Sequence, residues 1–385
     1  MSSLFICATQ FQILSALSIC KEEKLFDSIL VLTNGIEKIP GWKAFLQESN
    51  LFKSVAILPD QLPCHRRKHF LSPPKRLKHP SFTERIIGLV STKTLISSWL
   101  EEIEPIIGNE KIHPTLIDQV FISSPTNCLW QFGEFIKSLN RNCKIYGFDE
   151  GLGSYLSPSF SEKQIDGIYL FKPHLSKSEH VKIKIQPLDR PEMSYLWELA
   201  RKCFNLTNLP PRILFFDQWA GMPWVNDKCE SIDWKNSSLT KLKLSLLKAI
   251  SDKLKTLDES LFYIPHPLQS PKATEFFLSK GYKLPPCRTS VPFELLLLCN
   301  KYNYSNSIWI SIFSSAPIMP LLAFNNSKRC KTILLYHFFE KEEELSAFFQ
   351  NKELKKLFDE ISSNLTTTLR SPKNLVELIS QLTSN

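Results

Sequence analysis

The chain has 385 residues, 43% hydrophobic and 22% charged, with a formal net charge of +9. That balance excludes a disordered or fibrous polypeptide, and at roughly 150 residues per domain the length predicts two or three domains. No run reaches the roughly 18 uninterrupted apolar residues of a membrane span; the longest candidate, residues 291–299, is interrupted by Glu294. The opening residues lack a basic region, and their apolar run is broken by Thr9, Gln10 and Gln12, so no secretory signal is expected. The ten cysteines are dispersed without a Cys-x-x-Cys pair. They read as buried thiols of a cytoplasmic protein rather than a disulfide framework or a zinc site.

In chain order, residues 4–8 read as a buried strand, Thr9 to Gln12 as its exit turn, and residues 13–19 as a helix. Residues 28–33 form the next strand, which completes a βαβ unit, and residues 54–59 form a third. Residues 64–79 gather six Lys/Arg and three His around Pro73-Pro74. Proline and charge together predict an exposed loop. Such a loop is either simply solvated or available for peripheral contact with anionic lipid at the inner face of a membrane. No nucleic-acid-binding signature accompanies it.

A helix is expected over 82–100, a strand over 119–122, a helix over 129–139 and a strand over 143–148. Residues 156–210 are punctuated by prolines and read as an interdomain segment with a helix near 193–204. The alternation restarts with strands at 212–216, 260–264 and 307–313, and a last strand at 331–336. Helices are expected at 239–257, at 273–279 and in the tail. Strands alternating with helices predict an α/β chain with parallel, doubly wound sheets.

Three polar clusters fall at strand exits. The strand at 143–148 ends in Asp149-Glu150-Gly151, two adjacent carboxylates whose like charges push their pKa values apart, followed by a glycine that permits a sharp turn. This suits a general base at the mouth of a sheet; a solvated acidic turn is the plain alternative. Pro265-His266-Pro267 holds an imidazole on a stiffened backbone, and Ser314-Ser315 offers hydroxyls and N–H groups of the kind that bind phosphate. A base on one side and phosphate-binding groups on the other suit a nucleotide-sugar transferase.

These motifs come in a telling order: the strand and polar turn of residues 4–12, Asp149-Glu150-Gly151 running into Gly153-Ser154-Tyr155, His266-Pro267, Glu294 after Pro292-Phe293, then Ser314-Ser315. On these residues, over positions 4–340, the chain resembles the bacterial sialyltransferases with the GT-B fold. It is most similar to glycosyltransferase family 52, which includes lipooligosaccharide sialyltransferases and is similar to the polysialyltransferases.

The resemblance implies two Rossmann-like doubly wound domains facing across a cleft. The N-terminal domain would span residues 1–205 on the acceptor side and the C-terminal domain residues 206–340 on the donor side. Helices over 341–385 would pack on or between them. It implies inverting transfer of sialic acid from CMP-sialic acid to a hydroxyl of a bacterial surface glycan, with no metal or other cofactor strictly required. Asp149 becomes the general base, with Glu150 as its support or substitute. His266, beside Pro267, contacts the donor phosphate and protonates the departing CMP. Ser314 and Ser315 hold the phosphate, and Glu294 contacts the ribose hydroxyls. Thr9, Gln10, Gln12 and Gly151 line the acceptor cleft, with simple turn roles the alternative for the first three. The partners implied are the nucleotide-sugar donor and the glycan acceptor, with a homodimer allowed. Two other readings stay open: a transferase using another CMP-activated acid sugar such as Kdo, and a non-catalytic glycan- or lipid-binding relative.

Overall fold

A computed structural model describes residues 2–33, 39–57, 104–107, 113–123, 127–155, 165–206, 211–217, 234–266, 269–285, 293–298, 307–325, 330–342, 352–364 and 369–383. The basic segment 64–79, the helix expected over 82–100 and Pro267 lie outside the described residues. The chain divides into two compact units, residues 1–205 and 206–385.

The first unit alternates β1 (Ser2–Cys7), α1 (Gln10–Glu22), β2 (Ile29–Leu32), α2 (Trp42–Ser49), β3 (Ser54–Ile57), β4 (Glu104–Ile107), β5 (Ile117–Ile122), α3 (Asn127–Leu139), β6 (Lys144–Phe148), β7 (Gly167–Leu170), β8 (Lys182–Lys184) and α4 (Tyr195–Cys203). Their sheet order is β4-β3-β2-β1-β5-β6-β7-β8. Every pairing is parallel except β4, which runs antiparallel along β3.

The strands are legible as nearly unbroken apolar runs because helices bury both faces of a parallel sheet. Leu4, Ile6, Val31, Val120, Ile122 and Ile145 gather on one side with Ile136 of α3. The alternate positions carry aromatic rings: Phe5 pairs in register with Phe121, and Phe121 with Tyr146. The rings stack at 4.1 Å and 5.3 Å between centroids. Each fully buried Phe contributes about 1.5–3 kcal/mol relative to an exposed one, so this ladder ties β1, β5 and β6 together.

The interdomain reading of residues 156–210 is corrected: β7 and β8 extend the first sheet. Two of its prolines mislead because they sit where the chain turns. Pro173 and Pro191 each open a short 3-10 turn, where the missing N–H costs nothing. The edge strand β8, Lys-Ile-Lys, is too short and polar to give an apolar signal.

The second unit runs β9 (Ile213–Phe216), α5 (Ser238–Lys255), β10 (Phe262–Ile264), α6 (Pro271–Ser279), α7 (Phe293–Leu297), β11 (Ser307–Ser311), α8 (Met319–Ala323), β12 (Cys330–Leu334), α9 (Lys352–Asn364), β13 (Leu369–Arg370) and α10 (Leu375–Thr383). The sheet order is β10-β9-β11-β12-β13, parallel throughout. The strand at 330–334 is therefore not the last: β13, only two residues long, follows it between the tail helices.

Both units are Rossmann-like. Strand order reverses around β1 in the first and around β9 in the second, and crevices at such reversals, beyond the carboxyl ends of the strands, are where open α/β sheets bind ligands. No helix among the described residues is long and apolar enough to cross a membrane. The described cysteines 7, 20, 143, 203 and 330 are unpaired thiols, and only Cys203 is not buried.

Candidate functional site

In the first unit, β6 delivers the acid pair, and the two carboxylates part at once. Asp149 turns inward and is 0% exposed; Glu150 stays at the half-buried surface.

Asp149 is held by three donors. Its Oδ1 accepts from the Gly151 N–H at 3.0 Å. Its Oδ2 accepts from the Tyr155 hydroxyl at 2.5 Å and from the Phe171 N–H at 3.3 Å. Phe171 directly follows β7, and the next N–H, of Lys172, donates to Tyr155 Oη at 3.3 Å. Asp149 and Tyr155 thus pin together the exits of two neighbouring strands. Burial pushes the Asp149 carboxyl up to about 6, against the lowering effect of its three donors. Tyr155 is held above the usual phenol range, first by burial and then by the Asp149 charge.

The rest of the motif shapes the loop that presents Glu150. The Glu150 N–H donates to Ser154 Oγ at 2.9 Å, and Gly151 adopts φ +127°, a conformation side chains resist. A Cβ at Gly153 would lie 3.0 Å from Glu150 Oε1, so Gly153 leaves the space that the Glu150 carboxylate leans into. Every residue from Asp149 to Tyr155 except Leu152, which is buried, has a stated part in this shape.

The residues after β1 resolve differently. Thr9 caps α1: its hydroxyl accepts from the Gln12 N–H, while Gln12 Oε1 accepts from the Ala8 and Thr9 N–H groups at 2.5 and 3.0 Å. This reciprocal capping box occupies the carbonyl of the buried Gln12. Thr9 is exposed and Gln10 half-buried at the carboxyl end of β1.

In the second unit three predicted motifs lie on elements that flank β9. His266 follows β10, on one side of β9. Ser314-Ser315 follows β11, on the other. Glu294 lies on α7, whose Phe293 packs edge-on against Phe216, the last residue of β9, and against Trp309 of β11. The Glu294 carboxyl is buried, which pushes it up to about 7. Ser314 is buried; its N–H donates to Ser311 Oγ and its own Oγ accepts from the Ala316 N–H, which leaves its hydroxyl proton to donate elsewhere. Ser315 is exposed, and its carbonyl accepts from the Ile318 and Met319 N–H groups.

Burial lowers the pKa of His266, and the charge of Asp217 opposes that. A phosphate placed beside the ring favours its protonated form.

Sequence reading passed over four residues beneath this cluster. Asp217, at the exit of β9, forms a buried ion pair with Lys243 of α5 at 2.6 Å, the side chains 0% and 2% exposed. Its other oxygen accepts from the Tyr263 hydroxyl, and the Gln269 amide donates to Tyr263 Oη at 2.8 Å. An Asp immediately after an apolar strand was the available signal for Asp217, the same signature as at Asp149. Lys243, one of several lysines on α5, carries none. Among the described residues no group of three or more His, Cys, Asp or Glu stands where it could hold a metal ion.

No protein-family model matches the sequence, and no curated protein matches it. Among solved structures, the chain is similar to the UDP-GlcNAc 2-epimerase of Methanocaldococcus jannaschii in complex with UDP-GlcNAc and UDP. That similarity has 13% identity, 100% coverage of this chain and 94% of that one, and a TM-score of 0.47. It is also similar to a putative UDP-N-acetylglucosamine 2-epimerase from Listeria monocytogenes, with 11% identity, coverage of 99% and 91%, and a TM-score of 0.40. A third is the spinosyn rhamnosyltransferase SpnG complexed with thymidine diphosphate, with 10% identity, coverage of 99% and 96%, and a TM-score of 0.40. At these scores none of the three bears on what this chain does.

Proposed function

We propose that this chain is a glycosyltransferase that moves sialic acid from CMP-sialic acid to a hydroxyl of a glycan acceptor, with inversion. The observation that supports this reading is the placement of His266, Glu294 and Ser314-Ser315 on elements that flank β9 of a doubly wound unit, in the order that resembles family 52. Loss of CMP leaves negative charge on a phosphate while positive charge gathers at the anomeric carbon. The Ser314 and Ser315 hydroxyls and a protonated His266 supply donors for the departing phosphate, and Glu294 accepts from the ribose hydroxyls.

On the acceptor side we assign the general base to Glu150 and give Asp149 the task of holding the loop. Sequence reading favoured Asp149, but a base must reach the proton it takes. Asp149 is fully buried among three donors, whereas Glu150 has surface. The proposed transfer does not strictly require a metal, and the basic segment 64–79 offers contact with an anionic membrane or acceptor.

The test is CMP release from CMP-sialic acid with a panel of glycan acceptors. Glu150→Gln and His266→Ala should each lower transfer by about a hundredfold or more, the usual scale of lost acid–base catalysis. Full transfer by both variants would end the assignment. Release of CMP from CMP-Kdo instead would move it to another acid sugar.

A further inference from the structure

Beneath His266 lies a buried polar chain with a direction. The Gln269 amide donates to Tyr263 Oη at 2.8 Å. Tyr263 has one hydroxyl proton, and it goes to Asp217 Oδ2. Asp217 Oδ1 accepts from Lys243 Nζ at 2.6 Å. The four residues are at most 6% exposed.

The chain closes back on His266 through the backbone: the Gln269 N–H donates to the His266 carbonyl at 2.9 Å. His266 thus lies between Tyr263 and Gln269, two residues bonded side chain to side chain. Both are anchored through Asp217 to the exit of β9 and through Lys243 to α5. Phe277 of α6 stacks on the Tyr263 ring at 5.0 Å, and Lys243 Nζ lies 5.4 Å from the centre of the same Phe277 ring. That packing blocks the phenol from swinging away.

Burying an ion pair is a poor route to stability, since desolvation of both charges offsets much of their attraction. A pair retained under a turn that carries a functional imidazole has a different use. We propose that Lys243, Asp217, Tyr263 and Gln269 act as positioning residues that fix the His266 turn for its work on the departing phosphate. The idea rests on the transferase reading above for what His266 does, but not for how it is held.

The hold itself is read without turnover. In Tyr263→Phe, the backbone N–H of residue 269, followed by NMR hydrogen exchange, should exchange at least about tenfold faster while amides of β9 and β11 keep their protection. Gln269→Met, which removes the amide donor and keeps the bulk, should loosen the same backbone N–H.

The consequence for chemistry is read by a double-mutant cycle. Tyr263→Phe should lower kcat for transfer from CMP-sialic acid by about tenfold or more, the scale of a small misplacement, with little change in KM. In a His266→Ala background the same substitution should have no further effect. Equal losses in both backgrounds, or unchanged exchange of the residue 269 backbone N–H in both variants, overturn the proposal. If the wild-type chain releases no CMP from any donor, the transferase reading fails, and the exchange measurement still decides whether the turn is held this way.

Discussion

Replacing Tyr155 by Phe removes one oxygen and leaves the ring in place, so no cavity opens and the effect is one of hydrogen bonding. The Asp149 carboxylate loses its 2.5 Å donor and keeps two N–H groups. A hydrogen bond to a buried charged group contributes about 1.5–3 kcal/mol, and the Lys172 N–H loses its acceptor as well. The first unit should lose about 2 kcal/mol or somewhat more at pH 8.

The pH dependence sharpens this. The folded value for Asp149, about 6, lies above its ordinary 3.8. Its contribution to stability is therefore fully present below about pH 4 and is lost as pH rises through about 6. The whole difference corresponds to about 3 kcal/mol. Without the Tyr155 donor the folded value rises further, so the variant goes on losing stability where the wild type has levelled off. The gap between them should open from about pH 6 to 8 and narrow toward pH 5.

Because the chain has two units, a single melting curve mixes them. Native-state amide exchange at Val31, Phe121 and Ile145 reports the first unit alone. A gap of the same size at pH 5 and pH 8, or none at pH 8, refutes the role given to the Tyr155–Asp149 bond.

The remaining predictions concern both units. Gly153→Ala puts a methyl 3.0 Å from Glu150 Oε1; the side chain can shift, so stability should change by less than about 1 kcal/mol while kcat falls severalfold, as paired melting and transfer assays would show. Glu294 is held near 7 instead of its usual 4.5, so its neutral form stabilises the fold below about pH 4.5 and that help is gone above about pH 7. Glu294→Gln should then stabilise the second unit at pH 8 by up to about 3 kcal/mol yet weaken CMP binding, measured by amide exchange and calorimetry. Lys243→Met strands Asp217 in the interior and should cost about 3–5 kcal/mol. Adding Asp217→Asn removes the stranded charge, and chemical denaturation of single and double variants should show most of the loss recovered.

Much of the fold is written in local pattern. Strands buried on both faces leave apolar runs such as Leu4-Phe5-Ile6-Cys7 and Ile213-Leu214-Phe215-Phe216, and these lie where periodicity put them. β8 and β13 were not legible: short edge strands are held by their neighbours' hydrogen bonds rather than by their own apolar content. The same limit governed the site. Asp149 and Glu150 are chemically close and adjacent, and the donors that hold Asp149 inside, from Gly151, Tyr155 and Phe171, are not marked in the pair itself. Phe171 comes 22 residues later and contributes a backbone N–H, which carries no side-chain signature. The Asp217–Lys243 pair spans 26 residues and two elements, a distance over which charge pattern says nothing.

Binding of CMP by the second unit, through groups on the elements that flank β9, is the proposal on which the others depend. Its most direct measurement is calorimetric titration of the intact chain with CMP, alongside CMP release from CMP-sialic acid and with His266→Ala and a Ser314→Ala/Ser315→Ala double variant as comparisons. Saturable binding that is weakened at least about tenfold in both variants is expected, together with donor-dependent release by the wild type. Absence of both binding at millimolar CMP and release from any CMP-sugar would contradict it.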